Sequence, residues 1–142
     1  MSSTEGPIIY LEHDKDDQEQ LKEVLKNLQV PNELKIFGDC NHALEYLRHT
    51  KEQPFLILSD VRFPGMDAFM LREEIIKDDY LRKKAIPYVF LSDYADKPSI
   101  EKAYQLEVQG FFEKENSLTH FQEVMKHIID YWKKCKHPNS FH

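Results

Sequence analysis

Short apolar runs alternate along the chain with stretches in which apolar residues recur at helical spacing. The runs cover residues 8–11, 34–37, 55–58, 88–91 and 110–113. Continuous apolarity, as in the first and third runs, is typical of a strand that is covered on both faces. Strands that alternate strictly with helices pair in parallel through right-handed crossovers. The pattern therefore predicts an α/β domain in which a parallel sheet lies between two layers of helices.

The helices are marked by apolar stripes and by their boundary residues. Helices are predicted after the first strand, around residues 43–47 and from near Asp67. A fourth helix has Asp96 as its N-cap and Pro98 in its first turn. The last helix carries one apolar stripe, which we interpret as a surface that faces the core. Its residues are Phe121, Val124, Met125, Ile128, Ile129 and Trp132.

The length and charge of the chain limit its organisation. Its 142 residues suit one hydrophobic core, so we expect a flexible amino terminus (1–6), a folded domain (7–134) and a flexible tail (135–142). No run approaches the about 20 apolar residues of a membrane span, and no secretory signal is recognisable, so a cytoplasmic location is expected. The net charge of -6 argues against nucleic acid as a partner.

Polar residues collect where the predicted strands end. Glu12 and His13 follow the first strand, Asp60 the third, Ser92 the fourth and Lys114 the fifth. In sheets of this type a ligand site lies beyond the carboxyl ends of the strands, where the strand order reverses. A carboxylate can attack phosphorus, while a lysine, a hydroxyl and a divalent cation can stabilise phosphoryl oxygens. The strand ends therefore predict a site at which Asp60 accepts a phosphoryl group.

Four segments of the chain together resemble the receiver domains of two-component response regulators. They are Ile8-Ile9-Tyr10-Leu11-Glu12, Ser59-Asp60 with Pro64-Gly65-Met66-Asp67, Leu91-Ser92, and Gly110-Phe111-Phe112-Glu113-Lys114. The resemblance extends over residues 8–132, nearly the whole chain. It implies a flavodoxin-like, three-layer fold with a five-stranded parallel sheet of order 2-1-3-4-5.

The resemblance also implies roles and partners. Asp60 would accept the phosphoryl group from a histidine kinase or a phosphotransfer protein, and Ser92 and Lys114 would contact that group. Phe111 would be the aromatic residue that changes position on phosphorylation. A downstream protein would bind the face made by the fourth helix, the fifth strand and the fifth helix, and a homodimer is a further expectation. The domain would transduce a signal and would not be an enzyme.

The expected metal site departs from the family pattern at His13. The resemblance implies Mg²⁺ bound by Glu12, Asp60 and the backbone carbonyl of Arg62, with an acidic residue where His13 stands. Magnesium prefers oxygen ligands, whereas imidazole suits zinc, copper or nickel. Three outcomes stay open: magnesium held without His13, a softer metal that uses His13, or a site that binds no metal.

Two other departures concern the backbone. Glu107 stands where a helix-ending glycine is common, and Glu115 replaces the proline that normally follows the lysine. A cis bond costs about 2.5 to 4 kcal/mol before a residue other than proline. The reach of Lys114 toward Asp60 therefore depends on the bond that follows it.

Two rival functions use the same residues differently. The first is a scaffold of the same fold that binds partners without phosphorylation, because His13 marks a lost metal site. The second is a phosphatase with an aspartate nucleophile, since Asp14 and Asp16 are acids in alternate positions after a strand. The second leaves the residues around Asp60 unexplained.

Overall fold

A parallel sheet forms the centre of the protein, whose computed structural model describes residues 3–93, 95–114 and 116–138. Its strands pair in the order β2-β1-β3-β4-β5, all in parallel. The predicted sheet and strand order are therefore confirmed. The strands are β1 (Ile8–Leu11), β2 (Leu34–Phe37), β3 (Leu56–Ser59), β4 (Tyr88–Ser92) and β5 (Gly110–Glu113).

The register of the sheet brings the ends of its strands level with one another. Leu11, the last residue of β1, pairs with Ser59, the last residue of β3. Ser92 at the end of β4 pairs with Glu113 at the end of β5. Strands β1, β3 and β4 are buried along their whole lengths, as expected for strands covered on both faces. The residues that follow these strands therefore meet at one edge.

The described residues contain six α-helices, and each begins after a residue whose side chain caps it. In each, the side-chain oxygen of the N-cap accepts a hydrogen bond from a backbone N–H three residues later, which satisfies one of the helix's unpaired donors. The predicted cap at Asp96 is confirmed. The helices are α1 (Lys15–Asn27), α2 (Cys40–His49), α3 (Ala68–Lys77), α4 (Asp79–Lys84), α5 (Lys97–Gln105) and α6 (Leu118–Lys134).

The helices cover the two faces of the sheet and bury two apolar clusters. One cluster joins alternate strand residues to α2, α3, α4 and α5. The other joins the intervening strand residues to α1 and α6, including Leu21 and Met125, both fully buried. Because successive side chains of a strand point to opposite faces, β1, β2, β3 and β4 contribute to both clusters. The predicted three-layer arrangement is confirmed.

The structure corrects the predicted boundaries in two strands and adds one helix. Strand β3 begins at Leu56 rather than Phe55 and continues to Ser59, because Ser59 pairs with both neighbouring strands. Strand β4 continues to Ser92, because Ser92 pairs with Glu113 of β5. Helix α4 was not predicted, because its six residues are almost all polar and contain no apolar stripe.

Both ends of the described chain contact the domain. A 3₁₀ turn spans Ser3–Glu5, and the carbonyl of Thr4 accepts hydrogen bonds from Asn32 Nδ2 at 2.9 Å and Lys133 Nζ at 2.6 Å. At the other end, His137 Nε2 lies 2.6 Å from the carbonyl oxygen of Ala85. The flexibility expected of residues 1–6 and 135–142 stays a prediction. No helix in the described part of the chain has the length and apolarity that crossing a membrane requires.

Candidate functional site

The predicted site residues come together at the carboxyl edge of the sheet. Glu12 and Asp60 directly follow β1 and β3, whose last residues are paired. The strand order reverses between these two strands, and this is where ligands bind in such folds. Lys114 follows β5, and its side chain reaches across the edge to both carboxylates. The structure therefore unites three residues that are far apart in the sequence.

The carboxylate of Asp60 is buried and held from two sides. Its Oδ1 accepts a hydrogen bond from the backbone N–H of Val61 at 2.7 Å. Its Oδ2 lies 3.4 Å from Lys114 Nζ. The backbone N–H of Asp60 donates to the carbonyl of Leu11, and its own carbonyl accepts from Ser59 Oγ at 2.7 Å. These contacts fix the side chain at the site with Oδ2 facing the ammonium group.

Lys114 contacts three carboxylates at once. Its Nζ lies 2.5 Å from Glu12 Oε1, 2.7 Å from Asp17 Oδ2 and 3.4 Å from Asp60 Oδ2. Burial by itself would lower the pKa of Lys114, but the hydrogen bonds to Asp17 and Glu12 and the charge of Asp60 outweigh it and raise the pKa. The lysine is therefore a fixed positive charge at neutral pH.

Asp17 is the site residue that the sequence did not predict. Its acidic character suited the start of a helix, and Asp14 accepts the capping hydrogen bond from its backbone N–H. Asp17 lies in the first turn of α1, where side chains tilt toward the amino-terminal end of the helix. This tilt directs the carboxylate to the edge of the sheet. If Asp14 is recognised as the N-cap, Asp17 falls in the first turn of α1, and this position could have identified Asp17 as a site residue.

Glu12 is the most deeply buried acid of the site, with 1% of its side chain exposed. Oε1 pairs with Lys114, and Tyr10 Oη donates to the same oxygen at 3.4 Å. Oε2 accepts from the backbone N–H of Asp14 at 3.2 Å. Burial raises the pKa of Glu12, and Lys114 opposes that rise. The charge of Glu12 therefore depends on its partner lysine.

His13 lies at the mouth of the site, with half of its side chain exposed. Its Nδ1 is 3.8 Å from Glu12 Oε2, and its ring packs edge-on against Phe63 with 5.6 Å between centroids. One ligand atom from each of Glu12, His13 and Asp60 lies within 4.8 Å of the others. Two buried carboxylates suit a divalent cation such as magnesium, whereas the imidazole nitrogen does not.

Ser92 and Phe111 lie on the side of the site formed by β4 and β5. Ser92 is fully buried, and its carbonyl accepts a hydrogen bond from the backbone N–H of Lys114 at 3.0 Å. The half-buried ring of Phe111 packs on Phe90 with 5.5 Å between centroids. Their phosphoryl and switch roles stay predictions.

Two further predicted features concern the loops beside the site. Arg62 has an exposed side chain and stands two residues after Asp60, in the loop that follows β3. Whether its carbonyl binds a metal stays a prediction. The residue after Lys114, Glu115, lies outside the described residues.

Comparisons with known proteins agree with this geometry. The profile of the response regulator receiver domain matches residues 8–126. The structure of the phosphorylated cyanobacterial phytochrome response regulator RcpA is similar, with a TM-score of 0.83, 30% identity, and coverage of 93% of this chain and 97% of that chain. The Mn²⁺-bound form of the response regulator Rcp1 has a TM-score of 0.79, 25% identity, and coverage of 92% and 97%.

A curated relative shows the same similarity over part of its length. The DNA-binding transcriptional regulator NtrC of Proteus hauseri is 26% identical over 126 residues, or 88% of this chain. The chain spans 26% of the length of that relative. The similarity therefore concerns that part of the relative alone.

Proposed function

We propose that this chain, which belongs to the family of response regulator receiver domains, accepts a phosphoryl group on Asp60. Receiver domains act in two-component phosphorelay signalling, where histidine kinases or phosphotransfer proteins are their donors. The observation that carries the proposal is the buried Asp60 carboxylate, whose Oδ2 lies 3.4 Å from Lys114 Nζ at the carboxyl edge of the sheet. A nucleophile and a fixed positive charge beside it are what phosphoryl transfer needs.

The chemistry follows from the surroundings of Asp60. Oδ2 is the attacking atom, because Oδ1 already accepts a hydrogen bond from the backbone of Val61. Oδ2 forms a bond to the phosphorus of a phosphohistidine as the phosphorus–nitrogen bond breaks. The departing imidazole keeps the electron pair of that bond and takes up a proton from solvent. The product is an acyl phosphate on Asp60.

Two side chains then stabilise the charge on the phosphoryl group. Lys114 is charged and already within reach of Asp60, so its ammonium group pairs with a phosphoryl oxygen. The hydroxyl of Ser92, at the end of the neighbouring strand, donates to a second oxygen. Receiver domains bind Mg²⁺ or Mn²⁺ in such an acidic pocket, and a cation held by Glu12, Asp60 and the Arg62 carbonyl would supply further positive charge.

The phosphoryl group adds about 1.5 to 2 negative charges at neutral pH. In the proposed response, Ser92 moves toward these charges and Phe111 shifts its packing on Phe90. The affected surface is the face formed by α5, β5 and α6. Helices α5 and α6 are the fourth and fifth helices of the sequence-based prediction, which did not include α4. A downstream protein or a second copy of the chain binds there. A cytoplasmic location and the absence of nucleic acid among its partners belong to the same proposal.

The rival functions are not favoured. A phosphatase would need Asp14 as its nucleophile, but that carboxylate caps α1 and accepts from the backbone N–H of Asp17. Receiver domains are in general signal transducers rather than enzymes, and we extend this to the present chain. A scaffold that is never phosphorylated has no need of the buried pair between Asp60 and Lys114.

The test is the intact mass of the protein after incubation with acetyl phosphate and a divalent cation. We expect the mass to increase by one phosphoryl group in the wild type and in Asp14→Asn, and not in Asp60→Asn. The Asp14 variant is the matched control, because it changes an acid two residues beyond Glu12 without touching the proposed nucleophile. A wild type that gains no mass, or an Asp60→Asn protein that still gains it, contradicts the proposal.

A further inference from the structure

The edge of the sheet carries more negative charge than its lysine can balance. Glu12, Asp17 and Asp60 all contact the single ammonium group of Lys114. With the three acids ionised, three negative charges face one positive charge. Glu12 and Asp60 lie in the protein interior, where an unbalanced charge is costly. A bound cation removes this imbalance.

The neighbouring ligand atoms are not all oxygens. The closely spaced set consists of one carboxylate oxygen each from Glu12 and Asp60 and one ring nitrogen of His13, within 4.8 Å of one another. Magnesium binds oxygen almost to the exclusion of nitrogen. Imidazole is a good ligand for first-row transition ions, whose affinity for nitrogen and oxygen sites rises from manganese toward copper.

The position of His13 suits a ligand more than a structural residue. Its ring rests against Phe63, which limits its rotation. Its Nδ1 faces Glu12 Oε2 at 3.8 Å, longer than a hydrogen bond. Half of the side chain is exposed, so an ion can approach from solvent. The ring is therefore held beside the buried acids without a hydrogen bond to Glu12.

We propose that Glu12, His13 and Asp60 form a mixed nitrogen and oxygen centre that prefers a divalent first-row transition ion, such as Mn²⁺ or Co²⁺, to Mg²⁺. The inference deepens the proposed function, because it names the class of cation at the site of phosphorylation. It also explains why an imidazole is compatible with this site, where an acid is expected. Lys114 also pairs with Asp17 at 2.7 Å, so one carboxylate outside the set shares the lysine.

The experiment measures binding of Co²⁺ and of Mg²⁺ to the metal-free protein by calorimetry, without any phosphodonor. Any carboxylate site binds Co²⁺ somewhat more tightly than Mg²⁺. The decisive quantity is therefore the change in the ratio of Co²⁺ affinity to Mg²⁺ affinity between the wild type and His13→Asp. We expect the ratio to fall by about tenfold, the order of effect that changes around a metal site produce. A fall of less than about fivefold overturns the proposal.

The matched control is His42→Asp. His42 also pairs with an acid, with its Nδ1 2.6 Å from Asp39 Oδ2, but this pair is on the surface and His42 is not part of the closely spaced ligand set. The same substitution there leaves the affinity ratio unchanged if the effect belongs to His13. A fall in His42→Asp as large as that in His13→Asp overturns the assignment.

A second readout identifies the ligand directly. Pulsed electron paramagnetic resonance of Mn²⁺ bound to the wild type should contain a coupling to an imidazole nitrogen, and this coupling should be absent in His13→Asp. A wild-type spectrum without the nitrogen coupling overturns the proposal. Because neither measurement uses a phosphodonor, their failure leaves phosphorylation of Asp60 untouched. A protein that binds metal as expected but gains no phosphoryl group contradicts the proposed function alone.

Discussion

Replacing Lys114 by methionine removes the positive charge that three carboxylates share. The variant retains most of the side-chain volume but leaves Glu12 and Asp60 without their cation. Loss of one partner of a buried ion pair costs about 3 to 5 kcal/mol. The side chains of Lys114 and Asp60 are each 11% exposed, so solvent relieves part of this cost. We therefore expect the free energy of unfolding to fall by about 3 kcal/mol at neutral pH.

The size of this loss depends on pH through Glu12. Burial raises the pKa of Glu12 above its ordinary value of 4.5, and Lys114 opposes that rise. Without the lysine the pKa rises further. Between the unfolded and folded pKa values the folded protein then binds more protons than the unfolded chain, so stability falls as the pH rises through that window. The loss in Lys114→Met is therefore smaller near pH 5 than near pH 7.5, where Glu12 must carry its charge.

The assay is urea unfolding followed by circular dichroism at both pH values in metal-free buffer. With an m-value of about 2 kcal/mol per M, a loss of about 3 kcal/mol lowers the urea midpoint by about 1.5 M. Lys126→Met is the matched control, because Lys126 pairs with Asp130 at 2.6 Å on the exposed face of α6, and it should cost less than about 0.5 kcal/mol. A loss below about 1 kcal/mol at pH 7.5, or one that is no smaller at pH 5, is inconsistent with a lysine that balances these buried acids.

Three further substitutions test other contacts. Asp17→Asn removes the partner at 2.7 Å from Lys114 Nζ, so the lysine can move toward Asp60 and less negative charge opposes the donor. Phosphorylation by acetyl phosphate should accelerate about twofold or more. An unchanged or lower rate contradicts the view that Asp17 holds Lys114 back from Asp60. Arg72→Met removes a donor at 2.9 Å from each of the backbone carbonyls of Leu106 and Glu107 at the end of α5, where Glu107 keeps its contact with Gln109 Nε2 at 3.2 Å. Its free energy of unfolding should fall by about 2 kcal/mol in urea, and a loss under about 0.5 kcal/mol argues against the contact. Glu107→Gly relieves a left-handed backbone with φ of 58°, so Tm should rise with a gain of about 0.5 to 1 kcal/mol. A lower Tm than that of the wild type speaks against strain at this position.

The strands and most helices could be predicted because their signals are local. The apolar runs that form β1 and β3 identify buried strands without any knowledge of their neighbours. Asp96 and Pro98 mark the start of α5 by their own capping and backbone preferences. Strand order followed from the resemblance of the whole set of segments, and it placed Asp60 and Lys114 at one edge.

Features that depend on tertiary contacts were missed. Helix α4 (Asp79–Lys84) is short and polar, and it ends at Ala85, which adopts a left-handed conformation with φ of 50°. Its local signals are the capping residue Asp78 and the charges of its first and last turns, without an apolar stripe beside them. The strain at Glu107 could be suspected from the missing glycine, but the two hydrogen bonds from Arg72 that stabilise this helix end are contacts across more than 30 residues.

The role of Asp17 shows why the site could be predicted only in part. Strand-end positions identify Glu12, Asp60 and Lys114, because the register of a parallel sheet carries them to one edge. A helical residue reaches that edge only through the direction of its side chain, which depends on where the helix begins. The sequence contains an acid at position 17 but does not identify its partner, so the sharing of Lys114 among three carboxylates is known only from the structure.

Reductive trapping detects an acyl phosphate at Asp60 itself. Borohydride converts an aspartyl phosphate to homoserine, which peptide mass mapping assigns to one position. After treatment with acetyl phosphate and a divalent cation, we expect homoserine at residue 60 and unmodified acids at residues 14, 16 and 17. Homoserine at one of those three positions, or at no position in a protein that remains folded, would contradict the proposed role of Asp60.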